Sequence, residues 1–409
     1  MYILVDCNNF FVSCERLFNP FLENRPVVIL SNNDGCIISR SQEAKKLGVR
    51  MGEPYFKCRE LCERQGVVVH SSNFELYGDI SRRVMDVLAD ATPDIEIYSI
   101  DEAFLRISAQ NFSDYCREIR SKIKQWIGIP VSLGIGPTKT LAKMANILAK
   151  TDPAGIFDLS SPVQQEEVLA KFPIGDIWGI GRRWEKQLRG LGLFTAKTLR
   201  DQDLSFIRKQ MGAVGERLVL ELRGISCLGI EEEEAKKSIT SSRSFGKRIT
   251  EIQELGEAIS TYTANACRKL RAQGSCTQAI CVYVEIRHGD TRSVDSRVMG
   301  FPHPTNDTLQ IITAAKRCIL QLFRAGEIYK KCGITLFELS PENALIPDLF
   351  EVPDPKRKRL TDAIDAINAG HGKNTVFYGA MGINPQWKTR CQKRTARYTT
   401  SWDELPIVS

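Results

Sequence analysis

The 409-residue chain contains no Cys-x-x-Cys pair and only four histidines. Structural zinc takes closely spaced cysteine and histidine ligands, so the sequence offers no zinc module. The 13 cysteines are an odd number, and Cys7, Cys36, Cys281 and Cys318 sit in apolar segments, as buried reduced thiols of a cytosolic protein do. No apolar run is long enough to span a bilayer, and the sequence opens on a strand pattern where a signal peptide would carry basic residues and an apolar core. Cytoplasmic residence is the expectation. There is no internal repeat and no strongly one-sided charge. The net charge of +7 fits a polyanionic partner without requiring one. With 43% apolar and 26% charged residues, the composition is that of a globular protein, and the length calls for several domains.

Two distant acidic segments carry the first chemical signal. Tyr2-Ile3-Leu4-Val5-Asp6 is a short apolar run ending in a carboxylate, and Tyr98-Ser99-Ile100-Asp101-Glu102-Ala103-Phe104-Leu105 places two adjacent carboxylates among apolar residues. Three carboxylates gathered at the ends of core strands repel one another, and a divalent cation relieves that repulsion. Magnesium prefers one or two carboxylates together with substrate phosphates, which points to phosphoryl transfer. Two such ions, about 3.5–4 Å apart, clamp attacking and leaving oxygens. Adjacent strand residues face opposite ways, so Asp101 and Glu102 can share an ion only at a turn or bulge, which Ser99-Ile100 would provide. Taken alone, Asp6 also reads as a strand-end turn residue.

The remaining pattern is α/β. Residues 1 to about 170 alternate strands (Ile3–Asp6, Val27–Leu30, Cys36–Ser39, Val67–His70, Ile95–Tyr98, Ala103–Ile107, Val131–Ile135) with helices (Phe74–Leu88, Tyr115–Trp126, Lys139–Lys150). Ser41 caps a short helix through Leu47, and Thr138 caps the Lys139–Lys150 helix. In that helix Leu141, Met144, Ala145 and Leu148 form an apolar stripe, with Lys139, Lys143 and Lys150 expected on an opposite, basic face. A break at Asp152-Pro153-Ala154-Gly155 precedes a small helical region at about 170–230. Its Ile174–Arg183 stretch has glycine spacing suited to a helix–hairpin–helix turn. The acidic Glu231–Glu234 reads as a solvated linker. A β-α-β-β-α-β module follows over about 240–340, its hairpin centred on Gly289-Asp290. Beyond 342 the chain is rich in proline, lysine and arginine, with a short helical pattern at Leu360–Asn368.

Several segments together resemble the Y-family of translesion DNA polymerases, and within it the UmuC branch that supplies the catalytic subunit of bacterial DNA polymerase V. They are Ser31–Ile38, Ser99–Phe104, Thr138–Lys143, Trp178–Arg183, Arg243–Gly246, Gly379–Ile383 and Arg397–Thr400. The resemblance covers essentially the whole chain. It implies an α+β right-hand polymerase with a ferredoxin-like palm (1–10 and 79–170), small fingers (11–78), a helical thumb with a helix–hairpin–helix (171–238), a little finger (239–341) and a tail (342–409). It implies error-prone, template-directed synthesis across damaged bases in SOS mutagenesis, with two Mg2+ ions held by Asp6, Asp101, Glu102 and the Cys7 backbone carbonyl. Phe11 matches the steric gate under the sugar, where many relatives carry tyrosine. Lys45 and Lys150 match triphosphate contacts, and Gln42 stands where some relatives have tyrosine. Cys36, Ile38 and Gly52 match the floor under the nascent base pair.

DNA contacts are implied at Gly179, Gly181, Arg182 and Arg183, and at Arg243, Lys247 and Arg248. Ile346–Phe350 resembles a sliding-clamp-binding peptide in which Leu349 and Phe350 fill an apolar pocket, with the tail as a flexible tether. The expected partners are primer-template DNA, deoxynucleoside triphosphates, a processed UmuD-like dimer, RecA and the clamp. No segment resembles a proofreading exonuclease. Read from the residues alone, a nucleotide cyclase with a similar palm and a non-catalytic DNA-binding subunit stay open. Plain core packing stays open for Phe10 and Phe11.

Overall fold

A computed structural model describes residues 1–108, 111–231, 234–288, 291–344 and 355–405. The chain divides into two units. The first is Met1–Ser31, Gly35–Glu233 and Lys393–Ser409; the second is Asn32–Asp34 and Glu234–Gln392.

The first unit runs β1 (Tyr2–Cys7), α1 (Phe10–Phe18), β2 (Val27–Leu30), β3 (Ile37–Arg40), α2 (Gln42–Lys46), α3 (Tyr55–Arg64), β4 (Val68–Ser71) and α4 (Phe74–Ala91). It continues with β5 (Ile95–Ile97), β6 (Glu102–Arg106), α5 (Phe112–Trp126), β7 (Val131–Gly136), α6 (Lys139–Ala149) and β8 (Ile156–Asp158), then the helices α7 (Pro162–Lys171), α8 (Arg182–Gly190), α9 (Ala196–Arg200) and α10 (Leu204–Leu222). Five strands form one sheet in the order β5-β6-β1-β7-β8, and β3-β2-β4 form a second, smaller one. Within the larger sheet β1 is antiparallel to both neighbours, while β7 and β8 are parallel.

Every residue of β1 is buried, because layers cover both its faces. Ile3 and Val5 pack with Val12, Leu76, Ile80, Val84 and Leu133 on one side. Leu4 packs with Phe104 and Ala142 on the other. Full burial of each such aliphatic side chain contributes about 1.5–3 kcal/mol, so this central strand is where the first unit is anchored.

Helix α6 departs from the sequence expectation. Its Thr138 cap is present, with the hydroxyl accepting the Leu141 N–H at 3.2 Å. Its lysine side is not a uniformly solvated basic face, however: Lys150 is exposed, Lys143 half-buried and Lys139 buried. Leu141, Met144 and Ala145 pack among the residues of α7 to α10, and the opposite side lies on β7 and β1. There Asn146 is buried and donates to the Leu4 and Ser132 carbonyls at 3.3 and 2.8 Å. Lys139 is only 2% exposed and pairs with Glu96. Helix and strand lie so close that a Cβ on Gly134 would fall 2.1 Å from the Asn146 backbone nitrogen, and one on Gly136 2.6 Å from that of Ala142. Glycine in this strand is therefore a requirement of close backbone approach. At the far end of the helical region, the fully buried Glu221 accepts N–H groups of Thr140, Cys227 and Leu228 at 3.1, 2.6 and 3.1 Å. That compensates a charge that burial would otherwise penalise.

The second unit has the expected β-α-β-β-α-β order: β9 (Ile239–Ile249), α11 (Ile252–Ala272), β10 (Ser275–His288), β11 (Thr291–Thr305), α12 (Thr308–Leu322) and β12 (Tyr329–Pro341). Its sheet runs β11-β10-β12-β9, antiparallel throughout. Gly289 and Asp290, on which the hairpin expectation was centred, lie outside the described residues. The tail expected to be a flexible tether is anchored at particular described points, though many of its described residues are exposed. Helix α13 (Pro355–Gly370) is held by Asp365, whose two oxygens accept from Arg271 at 2.7 and 3.0 Å. Trp387 is 3% exposed and packs edge-on against Phe245 and Tyr262 in the unit's core.

Candidate active site

The first acidic residue sits near the end of β1, and antiparallel pairing with β6 sets Asp6 directly opposite Glu102. One residue further, the Cys7 N–H donates to the Asp101 carbonyl at 2.8 Å. The turn into β6 is built by Ser99, whose hydroxyl accepts the N–H groups of Asp101 and Glu102 at 3.2 and 3.1 Å and donates to the Asp101 carboxylate at 2.7 Å. This serine turn is what takes Asp101 out of strand alternation. Strand pairing thus brings all three carboxylate-bearing residues to one end of the sheet.

Helix α6 supplies the counter-charges. Lys150, at its C-terminal cap, reaches Asp6 at 2.7 Å, and Lys143 reaches Glu102 at 3.0 Å. Lys143 also lies 4.3 Å from the centroid of the Tyr98 ring and 5.4 Å from that of Trp178. Trp178 donates its indole N–H to the Tyr98 hydroxyl at 3.1 Å. Desolvation pushes the Asp6 carboxyl up to about 7; Lys150 opposes the rise, and proximity to Glu102 reinforces it. Burial likewise raises the Cys7 thiol well above its usual range, and the neighbouring Asp6, Asp101 and Glu102 act in the same sense.

The donor set of two aspartates, a glutamate and a main-chain carbonyl is all hard oxygen, which is the chemistry magnesium takes. The mutual repulsion of Asp6 and Glu102 is of the kind a divalent cation removes. Among the described residues, no three His, Cys, Asp or Glu side chains are already grouped as a metal cage. The fit therefore rests on donor chemistry and strand register.

Phe11 lies near the start of α1. Its ring stacks on Tyr77 (centroids 4.6 Å apart, planes at 15°) and meets Phe74 edge-on at 5.9 Å. Phe10 is a core residue at 3% exposure, whereas Phe11 is only partly buried. Lys45, near the end of α2, has its ammonium pKa held below the ordinary value by desolvation and by nearby Arg40 and Lys150, with Asp6 acting in the opposite sense. Cys36 bridges to Pro54 beside β3, and Gly52 donates its N–H to the Ile37 carbonyl at 2.8 Å with φ +75°, so these loops meet around β3. Ile38, on the face of β3 opposite the buried Ile37, packs partly against the main core.

Gly179 and Gly181 flank the entry to α8, Gly181 as its N-cap, with open space where a Cβ would stand at both. Arg182 and Arg183 follow, exposed in the first turn. In the second unit, Arg243, Lys247 and Arg248 are exposed on β9. Lys247 and Arg248 join Arg287, Lys330 and Arg390 around a concavity of about 750 Å³. Leu349 and Phe350 lie outside the described residues.

The sequence pattern marks Lys143 only as part of a basic face, and it does not single out Glu15, Tyr77 or Arg40. Lys143 is detectable there only as one of three lysines spaced toward one side of α6. Nothing in its own segment announces Glu102 as its partner.

Residues 5–146 match the model of the impB/mucB/samB family, 236–349 that of the same family's C-terminal domain, and 164–193 its helix–hairpin–helix motif. Residues 358–408 match a domain of unknown function. The chain is similar to Protein UmuC of Salmonella typhimurium (41% identity, 99% of each chain covered) and to Protein ImpB of the same organism (37%, 100% of this chain and 99% of ImpB). It is also similar to DNA polymerase IV of Desulfatibacillum aliphaticivorans (29%, 93% and 96%). Among solved structures, a Y-family polymerase chimera of Dbh and Dpo4 superposes with a TM-score of 0.67 at 22% identity, covering 83% of this chain and 99% of the chimera. An insertion ternary complex of Dbh DNA polymerase gives 0.58 at 21% identity, covering 83% and 99%. The chain belongs to the impB/mucB/samB family, and its fold is that of the Y-family DNA polymerases.

Proposed function

We propose that the chain is a DNA-directed DNA polymerase that extends primers across damaged template bases, with low fidelity, in SOS mutagenesis. The observation that carries this reading is the register of β1 and β6, with Asp6 opposite Glu102 and Asp101 at the adjoining turn. Full-length similarity to family members supports it. The domain assignment follows the resemblance: palm 1–10 and 79–170, fingers 11–78, thumb 171–238, little finger 239–341, tail 342–409.

When bound, two magnesium ions would lower the pKa of the primer 3′-hydroxyl and neutralise charge on the triphosphate. Asp6, Asp101, Glu102 and the Cys7 carbonyl are the residues that would hold them. Lys45 and Lys150 meet the triphosphate as point charges, a role lysine fills without the two-pronged geometry of arginine. The Phe11 ring lies under the sugar and clashes with a 2′-hydroxyl. Cys36, Ile38 and Gly52 form a low floor of small and aliphatic groups that accepts distorted template bases. The partners are primer-template DNA and deoxynucleoside triphosphates, with a processed UmuD-like dimer, RecA and a sliding clamp docking through Leu349 and Phe350. The site of action is the cytoplasm, at the nucleoid.

Primer extension past an abasic site with magnesium and the UmuD-like and RecA partners tests the reading. Lesion-spanning product is expected, and incubation with a single nucleotide and no DNA is expected to leave the nucleotide uncyclised. A cyclised product without DNA, or no extension with every partner present, overturns it. Phe11→Ala is expected to increase ribonucleotide insertion by about 100-fold relative to deoxyribonucleotide insertion, as removal of a steric clash of a few kcal/mol would; an unchanged sugar preference removes Phe11 from this role. Replacing Arg182 and Arg183 by alanine is expected to weaken duplex binding evenly across sequences. Fluorescence anisotropy against salt would then show the slope of log K reduced by about 1 for each phosphate the arginines no longer neutralise.

A further inference from the structure

Behind the Phe11 ring lies a polar chain that nucleotidyl transfer does not use. Tyr77, against which Phe11 stacks, is fully buried, and its hydroxyl donates to Glu15 Oε1 at 2.6 Å. Glu15 is 1% exposed, and the same oxygen accepts the Thr395 hydroxyl at 3.2 Å. The Asn73 side-chain amide fixes Thr395 in turn, donating to its Oγ1 at 3.1 Å, to its carbonyl at 3.2 Å and to the Ala396 carbonyl at 3.0 Å. Asn73 is also the N-cap of α4, the helix that carries Phe74 and Tyr77.

The segment that presents Thr395 is itself held on both sides. Ser71 and Lys393 exchange hydrogen bonds at 2.9 and 3.1 Å, and the Tyr398 ring stacks on Phe18 at 4.7 Å. Arg397 bridges Glu75 and Glu404 at 3.2 and 2.6 Å. All of these residues lie in the first unit. A buried carboxylate is costly unless its donors stay in place, so a satisfied network of this kind fixes the groups attached to it. The group attached at its far end is the ring under the proposed sugar site.

We propose that the 393–398 segment sets the position of the gate ring, with Thr395 acting through Glu15 and Tyr77 as a positioning residue for sugar discrimination. This rests on the reading of Phe11 as the gate. It gives the region matching a domain of unknown function a task in the first unit: it is the back wall of a specificity element. Loss of the Thr395 hydroxyl leaves Glu15 buried with one donor fewer and frees Tyr77 to shift. The Phe11 ring then loses its flat support while the carboxylate site is untouched.

The test is single-nucleotide insertion by the full chain with its partners, comparing kcat/KM for a deoxyribonucleotide and for the matching ribonucleotide. Thr395→Val and Tyr77→Phe are expected to lower sugar selectivity by about tenfold, mainly through a lower ribonucleotide KM, with deoxyribonucleotide kcat/KM within about twofold. Thr395→Ser, which keeps the hydroxyl, is expected to retain selectivity. Added to Phe11→Ala, Thr395→Val is expected to have no further effect, since both act through one ring. If Thr395→Val does not fold, Tyr77→Phe, which deletes one hydroxyl, decides alone. Undiminished selectivity in the valine and phenylalanine variants beside a relaxed Phe11→Ala overturns the positioning role and leaves the gate reading standing. Full additivity in the double variant does the same. Undiminished selectivity in Phe11→Ala removes both.

Discussion

Alanine at Asp101 or at Glu102 is expected to reduce primer extension by about three orders of magnitude or more, roughly 4 kcal/mol of transition-state stabilisation. Each substitution deletes one of three carboxylates that strand pairing brings to one end of the sheet. Glu102→Ala also leaves the Lys143 ammonium without its 3.0 Å partner, so positive charge replaces the negative charge that a divalent cation needs. Affinity for primer-template DNA should stay within about twofold, because phosphate contacts dominate binding and the exposed arginines of α8 and β9 are untouched. Single-turnover extension read beside anisotropy titration separates the two effects, and Asp101→Asn with Glu102→Gln controls for side-chain volume. Robust extension by both alanine variants would show that these acids are structural.

The second large effect is expected at a residue without a side chain. Gly134→Ala puts a methyl group 2.1 Å from the Asn146 nitrogen and 2.3 Å from the Ala142 carbonyl oxygen, both backbone atoms that cannot turn away. Strand and helix must separate at a cost of about 3 kcal/mol, the upper part of the usual overpacking range. For a unit of this size that lowers the melting temperature by roughly 10 °C, which calorimetry would register in the transition of the first unit. Activity should fall further than stability accounts for, because α6 carries Lys143 and its cap carries Lys150. A variant with unaltered melting and extension would mean that the helix accommodates the methyl group without moving.

What the sequence makes legible divides along physical lines. Strand β1 is legible as an apolar run leading to Asp6 and β6 as an apolar run that Asp101 and Glu102 introduce, and the Ser99 turn is legible as chain punctuation. The alternating β and α elements of the second unit are legible for the same reason. Helix α6 is legible as a helix but not as a doubly buried one. Helical periodicity marks the apolar stripe and assigns charge to water, whereas Lys139 finds Glu96 and Lys143 finds Glu102 through pairings that only the assembled sheet creates. The short strand β8 and helices α3 and α7 lack a strong period and escape a reading by pattern. Glu15, Tyr77 and Thr395 cannot be grouped from sequence at all. Asn73 and Thr395 are separated by 322 positions, and each is locally an ordinary polar residue. The roles proposed for Asp6, Asp101 and Glu102 rest on resemblance joined to pattern, since pattern alone leaves both cyclase and polymerase open.

The order of synthesis adds a constraint of a different kind. Residues 393–405 complete the first unit, yet a ribosome makes them only after it has made all of 234–392. Domains usually finish folding in the order they emerge. Here a segment of the earlier one, hydrogen-bonded to Asn73 and Glu15 through Thr395, is made only after the later one. A chain halted before residue 393 would hold Asp6, Asp101 and Glu102 without the segment whose Thr395 hydroxyl bonds Glu15, so the support of the proposed gate ring is made only after the whole second unit.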